Sequence, residues 1–167
     1  MNRGMEEDRV DEVLAQWEAE RPDLDPSGLA VVLRVQQLAG AFAERLKRIL
    51  EPAGLAVWEY EVLAALRRSG GQTPSELCAA AQLTSGAMTH RLDRLEERGL
   101  LRRKPSRTDR RSLTVELTAK GRRLVDGILG DRMAAATTSL EDFTETEVRR
   151  LTSYLRRIDT ELYDTEG

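Results

Sequence analysis

Apolar residues recur every three or four positions along most of this chain, which is the period of amphipathic helices. Residues 9–20 carry one such stripe, which includes Trp17, and acidic side chains occupy the opposite face. A longer stripe runs from about residue 28 to residue 50 and ends before Pro52, and a third covers residues 57–68. The pattern therefore predicts three helices in the first part of the chain.

Polar residues with capping chemistry predict two shorter helices after these. Thr73 and Glu76 form a capping box, in which each side chain bonds the backbone N–H of the other residue. The helix that they open ends near Leu83, and Thr84 caps a second helix that continues to about Arg98. A short turn thus joins the two helices, which is the arrangement of a helix-turn-helix motif.

The pattern then changes to that of a two-stranded hairpin. Residues 100–104 begin with two leucines and continue with three basic residues, and residues 113–117 alternate between apolar and polar side chains, as a half-buried strand does. The loop between them is polar and basic, so its tip is expected to project into solvent. Thr118 caps a further helix, and a capping box at Thr144 opens the last one. Together these elements predict a mainly α fold, a winged helix-turn-helix with a two-stranded β wing.

Charge is distributed unevenly, although the 167 residues sum to a formal net charge of only −3. Residues 1–27 carry three arginines against nine acids, a net charge of −6, whereas residues 86–123 carry twelve basic residues against five acids, a net charge of +7. Such a basic segment is either a solvated surface balanced by the acidic ends or an anion-binding face. No aromatic residue lies within it, which favours duplex DNA over single strands, whose bases stack on aromatic rings.

Composition excludes several other classes of protein. One cysteine and one histidine rule out an internal disulfide framework and a zinc site of several nitrogen and sulfur ligands. The sequence shows no nucleophile–base pair, phosphate-binding loop or dinucleotide fingerprint, so we expect neither an enzyme nor a cofactor. No apolar run approaches the length of a membrane span and the N-terminus is acidic, so a cytosolic protein without a membrane partner is expected.

The helix after the short turn is the candidate for insertion into the major groove, where every base pair presents a distinct pattern of donors and acceptors. Its first turns present small polar groups, and the wing loop supplies arginines suited to a narrow minor groove. His90 is expected to face DNA rather than a metal, and Asp109 to orient Arg110 or Arg111 through a paired charge. The predicted DNA-binding residues are Ser85, Gly86, Thr89, His90, Arg94, Arg107, Asp109, Arg110 and Arg111.

The segment GAMTHRLDRLEERGLLRRKPSRTDRRSLTVELTAKG resembles the core of MarR-type transcriptional regulators. The resemblance covers nearly all of residues 28–163, and it implies a homodimer that binds an inverted-repeat operator in double-stranded DNA. The features that carry it are Arg91-Leu92-Asp93-Arg94-Leu95, Gly99-Leu100, Asp109-Arg110-Arg111, and Leu117-Thr118 followed by Gly121.

With this resemblance the chain divides into three kinds of segment. Residues 1–27 are an acidic N-terminal extension with an added helix, and residues 28–56 and 119–167 supply dimerisation helices. Residues 57–118 form the winged helix-turn-helix DNA-binding domain. The last helix is expected to contribute an apolar stripe to the dimer, made of Leu151, Leu155, Ile158 and Leu162.

The N-terminal extension resembles that of the urate-responsive branch of these regulators, in which an added helix contains a tryptophan. In that branch a tryptophan, a carboxylate and two arginines hold a small anionic ligand, which implies a repressor that such an effector releases. Glu61 departs from the branch, which carries aspartate there, so a urate-like anion, another organic anion and no ligand at all stay open. The matching ligand-binding positions are Trp17, Glu61, Arg91 and Arg103.

Each of these four positions also has an ordinary structural interpretation. Trp17 lies on an apolar stripe and suits a core or a dimer interface, and Glu61 suits a salt bridge with an arginine. Arg91 and Arg103 could contact DNA, a ligand or neighbouring groups alone.

For the whole chain, the second hypothesis is an architectural or protein-interaction dimer without an effector response. Salt dependence separates the two, because binding through several phosphates weakens steeply as salt rises.

Overall fold

The computed structural model describes residues 7–81, 84–105 and 113–164, and these residues form seven α-helices and one two-stranded sheet. The chain divides into two compact units, residues 1–57 and residues 58–167. In chain order the elements are α1 Arg9–Glu20, α2 Ser27–Leu50, α3 Val57–Ser69, α4 Pro74–Ala81, α5 Ser85–Glu97, β1 Leu101–Pro105, β2 Leu113–Leu117, α6 Ala119–Ser139 and α7 Glu145–Asp164.

The first unit contains α1 and α2, and a cluster of charges joins the start of α1 to α2. The Asp8 side chain accepts hydrogen bonds from the backbone N–H groups of Val10 and Asp11, while the Asp11 carboxylate bonds the Asp8 N–H in return. Arg34 of α2 pairs with both carboxylates, at 3.0 Å from Asp8 and 2.6 Å from Asp11. The bond from the Asp8 backbone, followed by that from Arg34, lowers the pKa of Asp11. The helix predicted over residues 9–20 is confirmed.

α2 keeps the predicted helical period and exposes much of its apolar side. Leu38 and Phe42 are 55% and 52% exposed. The helix ends where the sequence predicts, because a 3-10 turn at Glu51–Ala53 contains Pro52 and Gly54 follows it with a left-handed φ of 58°.

The second unit packs α3, α4, α5 and the hairpin around an apolar core. Both predicted caps are present, since Thr73 and Glu76 exchange the bonds of a capping box and Thr84 accepts a bond from the Ala87 N–H. Gly99, two residues after the last residue of α5, takes a φ of 67°, which lets the chain turn into β1. The fully buried side chains include Leu63, Leu66, Leu77, Met88, Leu92, Leu95, Leu100, Leu101 and Val115.

The two strands pair antiparallel, in a register that runs from Leu101 opposite Leu117 to Pro105 opposite Leu113. Val115 and Leu117 are buried on one face, as the alternation predicts. Leu113 is exposed, because it lies at the far end of the hairpin and not over the core. A mainly helical fold with a two-stranded wing is therefore confirmed, although residues 106–112, where the wing loop is predicted, lie outside the described residues.

α6 begins in close contact with the chain segment that enters β1. Thr118 Oγ1 accepts a bond from the Gly121 N–H and donates one to the Gly99 carbonyl at 2.7 Å, so the predicted cap is confirmed. Gly121 is required at this approach, because a Cβ there would lie 1.9 Å from the Leu100 carbonyl oxygen.

α7 begins at the second predicted capping box and exposes its apolar stripe. Thr144 and Glu147 exchange the bonds of the box, and the bonds from Thr144 lower the pKa of the Glu147 carboxyl. Within the described ranges, none of the helices has the length and apolarity needed to cross a bilayer. The stripe residues, each 40% exposed or more, are Leu151, Leu155, Ile158 and Leu162.

Candidate nucleic-acid interface

The first half of α5 exposes polar residues, whereas the opposite face of the helix is buried. Met88, Leu92 and Leu95 lie in the core and fix the rotation of α5 about its axis. A helix that exposes small polar groups near its N-terminus can approach base edges closely. The structure places these predicted DNA-binding residues on the exposed part of α5: Ser85, Gly86, Thr89, His90 and Arg94.

A buried carboxylate, which the sequence analysis missed, lies beside this face. Glu59 of α3 is 0% exposed, and its Oε1 lies 3.2 Å from Arg94 Nε and 3.1 Å from Arg98 Nη1. The sequence does carry a signal for it, because Glu59 occupies a position of the apolar stripe that Val62, Leu63 and Leu66 continue. A charge at such a position is buried only when it is paired.

Trp58, next to Glu59, lies against the same flank of α5. The Arg91 guanidinium carbon lies 4.8 Å from the centre of the Trp58 ring, and that of Arg94 lies 5.9 Å from it. Both distances are within the range of cation–π attraction. Arg91, Arg94 and Arg98 share one flank by their spacing, so Trp58 and Glu59 contact α5 along one continuous line.

Arg103 of β1 contacts the other flank of α5 through ion pairs and a backbone hydrogen bond. Its Nη2 lies 2.7 Å from Asp93 and its backbone N–H donates to Glu96 at 2.8 Å, while its Nη1 also pairs with the Glu96 carboxylate. The side chain is only 20% exposed. These bonds pair one arginine with two acids of α5 and connect the first strand of the wing to this helix.

Two of the four predicted ligand-binding residues meet in one cleft. Glu61 and Arg91 line a space of about 490 Å³ between α3, α4 and α5, together with Trp58 and Arg68. The two arginines and one glutamate give these charged groups a net charge of +1, which suits a singly charged anion beside an aromatic ring.

The other two predicted ligand-binding residues lie elsewhere. Arg103 lies against Asp93 and Glu96, on the flank of α5 opposite to Arg91. Trp17 belongs to the first unit, where it is 53% exposed and lines a smaller cleft with Leu24 and Leu29. The ligand-binding role of each of these residues stays a prediction.

The wing is described only at its base. Lys104 Nζ lies 2.6 Å from Glu116, and Arg102 lies 3.8 Å from the same carboxylate, so part of the basic charge of the strands is paired. The remaining predicted DNA-binding residues lie outside the described residues and are Arg107, Asp109, Arg110 and Arg111.

Among the described residues, no group of three or more histidine, cysteine, aspartate or glutamate side chains could hold a metal ion. The exposed face of α5, the paired strands on one flank of this helix and the few residues between α4 and α5 define a winged helix-turn-helix, whose usual partner is duplex DNA.

Comparison with known proteins identifies the family. Residues 53–112 match the model of the MarR family. The chain is 32% identical over 156 residues to the transcriptional regulator PecS of Dickeya dadantii, an alignment that covers 92% of this chain and 94% of PecS. The chain therefore belongs to the MarR family of winged helix-turn-helix transcriptional regulators, which are not enzymes.

Solved structures agree in fold. A MarR family protein from Bacillus stearothermophilus superposes with a TM-score of 0.73 at 22% identity, over 84% of this chain and 99% of that one. A mutant MarR of E. coli, crystallised with operator DNA, superposes with a TM-score of 0.62 at 24% identity, over 80% of this chain and 96% of that one.

Proposed function

We propose that this chain is a homodimeric repressor that binds an inverted-repeat operator in duplex DNA and is released from it by a small organic anion. The observation that carries the DNA-binding part is α5, which buries one face and exposes polar residues along its first half. The E. coli MarR complex contains operator DNA, and another MarR structure is described as a multiple antibiotic resistance repressor. These descriptions support the proposal by analogy.

The dimer part of the proposal is supported by the apolar stripe of α7. Leu151, Leu155 and Ile158 follow one another at spacings of four and three residues and are 40–45% exposed. An uninterrupted apolar stripe on a helix of a water-soluble regulator usually marks an interface. A two-fold dimer presents two copies of α5, and these match an operator with two inverted half-sites.

The full chain can be tested by selection from random-sequence duplexes, followed by titration of the selected duplex. We expect a palindromic sequence, two chains per duplex, and an affinity that falls with a log–log salt slope of about −0.9 for each phosphate neutralised. Equal binding to the selected duplex and to a shuffled duplex would instead favour an architectural protein. A footprint without two-fold symmetry would contradict the dimer.

The effector part rests on the cleft that contains Arg91. An anion that pairs with Arg91 would compete with the contact between this arginine and Trp58, and it would thereby act on α5 itself. A ligand that shifts α5 in this way weakens DNA binding, and by linkage DNA weakens ligand binding by the same factor. Arg103, which bonds α5 from the other side, extends the same coupling to the wing.

Urate and benzoate serve as probes of this cleft, because both are planar anions and differ in size. At a fixed amount of bound duplex, we expect at least one of them to release the DNA from the wild type and not from Arg91→Gln. Arg149→Gln, on the exposed surface of α7, is the matched control and should respond as the wild type does. If neither anion releases the duplex, the cleft does not bind planar monoanions of this kind, while the DNA-binding proposal stands.

A further inference from the structure

Glu59 is a charged residue that the structure buries completely, and it pairs with Arg94 of α5 and with Arg98, the residue that directly follows this helix. Removing a carboxylate from water costs free energy unless strong hydrogen bonds replace the lost solvation. Arg98 supplies such a bond through Nη1 at 3.1 Å, and Arg94 adds an ion pair whose Nε lies 3.2 Å from the same oxygen. The buried charge of α3 is therefore used to fasten the helix that the fold offers to DNA.

The contact fixes one edge of the Arg94 guanidinium and leaves the side chain accessible. Arg94 is 57% exposed although its Nε forms an ion pair with a carboxylate that is 0% exposed. Its guanidinium also lies near the Trp58 ring, which restricts the plane of the group. An arginine held in this way is pre-organised, because it loses little further side-chain entropy when it bonds a base or a phosphate.

On the opposite flank of α5, the part of the chain that the structure describes forms ion pairs with partly exposed carboxylates and not with a buried one. There Arg103 pairs with Asp93 and Glu96, whose side chains are 52% and 37% exposed. Salt screens exposed pairs of this kind more than it screens a buried carboxylate. The ion pairs of Arg94 and Arg98 with the buried Glu59 are therefore screened less by salt than those of Arg103 with Asp93 and Glu96.

We propose that Glu59 is a positioning residue for DNA recognition: it holds Arg94 in one orientation at the exposed face of α5, and it offsets one positive charge beside the DNA. The inference rests on the proposed function. Glu59 does not touch DNA in this scheme. It increases the difference between the affinity for the operator and that for other duplexes.

Glu59→Gln tests this at nearly constant shape, because the amide keeps one oxygen acceptor and loses the charge. We expect the ratio of affinities for the selected and the shuffled duplex to fall about tenfold, the discrimination that one well-placed arginine supplies. We also expect the affinity for the shuffled duplex to rise and its salt slope to steepen by about 0.9, because one more basic group becomes available to phosphate.

Glu145→Gln is the matched control, because it removes the same charge and releases Arg149 from an exposed pair on α7. It should leave the ratio of affinities unchanged. In Arg94→Lys, the added Glu59→Gln change should lower the ratio little further, because its effect acts through Arg94. An unchanged ratio in Glu59→Gln would overturn the proposal, as would an equal loss of both affinities together with a lower melting temperature.

A measurement on the wild type keeps the test independent of how the variant folds. The Nε resonance of Arg94, assigned by its loss in Arg94→Lys, should be shifted from those of exposed arginines in the free protein, because a buried carboxylate lies 3.2 Å from Nε. A resonance at the chemical shift of exposed arginines would overturn the proposal. Failure of the wild type to select any duplex would refute the proposed function and this inference with it, whereas a selected duplex with an unchanged ratio would refute the inference alone.

Discussion

The helices α5 and α7 carry apolar residues at the same spacing, but the structure buries those of α5 and exposes those of α7. Met88, Leu92 and Leu95 recur along α5 at spacings of four and three residues, and each is 0–1% exposed. Leu151, Leu155 and Ile158 recur along α7 at the same spacings, and they are 40–45% exposed. The period identifies the apolar side of a helix, but what covers that side depends on the rest of the fold.

This difference in exposure corresponds to two contributions of apolar burial, one to the stability of a single chain and one to the association of two chains. The α5 stripe stabilises the second unit from within one chain, so its contribution to the free energy of unfolding does not depend on protein concentration. The α7 stripe, in the proposed dimer, contributes only when two chains meet, so its effect follows mass action.

The largest effect is expected for Leu95→Ala, which removes a fully buried side chain from the α5 stripe. The free energy of unfolding should fall by about 2–5 kcal/mol, because the lost transfer energy adds to the cost of a cavity. Urea unfolding followed by circular dichroism measures this. A loss below about 1 kcal/mol would mean that the site collapses or is not part of a packed core.

A smaller effect is expected for Gly121→Ala at the start of α6. The added Cβ would meet the Leu100 carbonyl oxygen at 1.9 Å, and a backbone group cannot move aside as a flexible side chain can. The free energy of unfolding should fall by about 1–3 kcal/mol. Gly127→Ala is the control in the same helix, because a Cβ there meets nothing within 4 Å, and it should raise stability by about 0.5–1 kcal/mol. Equal effects of the two changes would contradict the close approach.

The smallest effect is expected for Leu155→Ala on α7, and it should appear in association and not in folding at high concentration. The dimer dissociation constant should rise about fivefold, the equivalent of roughly 1 kcal/mol of lost apolar burial. Sedimentation over a range of protein concentrations measures it. Ser153→Ala, on the opposite side of α7, should change nothing. If Leu155→Ala also leaves association unchanged, the stripe is not the dimer contact.

The candidate site could be predicted in part. The sequence places Ser85, Thr89 and Arg94 on one helix after a turn, and the structure exposes all three. The sequence does not show that Arg94 forms an ion pair with Glu59, because the two residues are far apart in the chain and no periodic pattern links their side chains. Nor does the sequence show that Arg91 and Arg103 lie on opposite flanks of α5, as they do in the structure.

Local chemistry explains why the elements themselves were predictable. Caps at Thr84, Thr118 and Thr144 satisfy backbone N–H groups within three residues, so a short stretch of sequence suffices to locate the start of each helix. Periodicity likewise marks the apolar face of each helix from neighbouring residues alone.

Tertiary structure alone decided how those faces are used. It buried the α5 stripe and left that of α7 exposed, paired Glu59 with two arginines, and brought Gly121 against the Leu100 carbonyl. Each of these outcomes depends on atoms that are distant in the chain and meet only when the helices pack. Steric fit and the cost of burying a charge then select among arrangements that the local pattern permits equally.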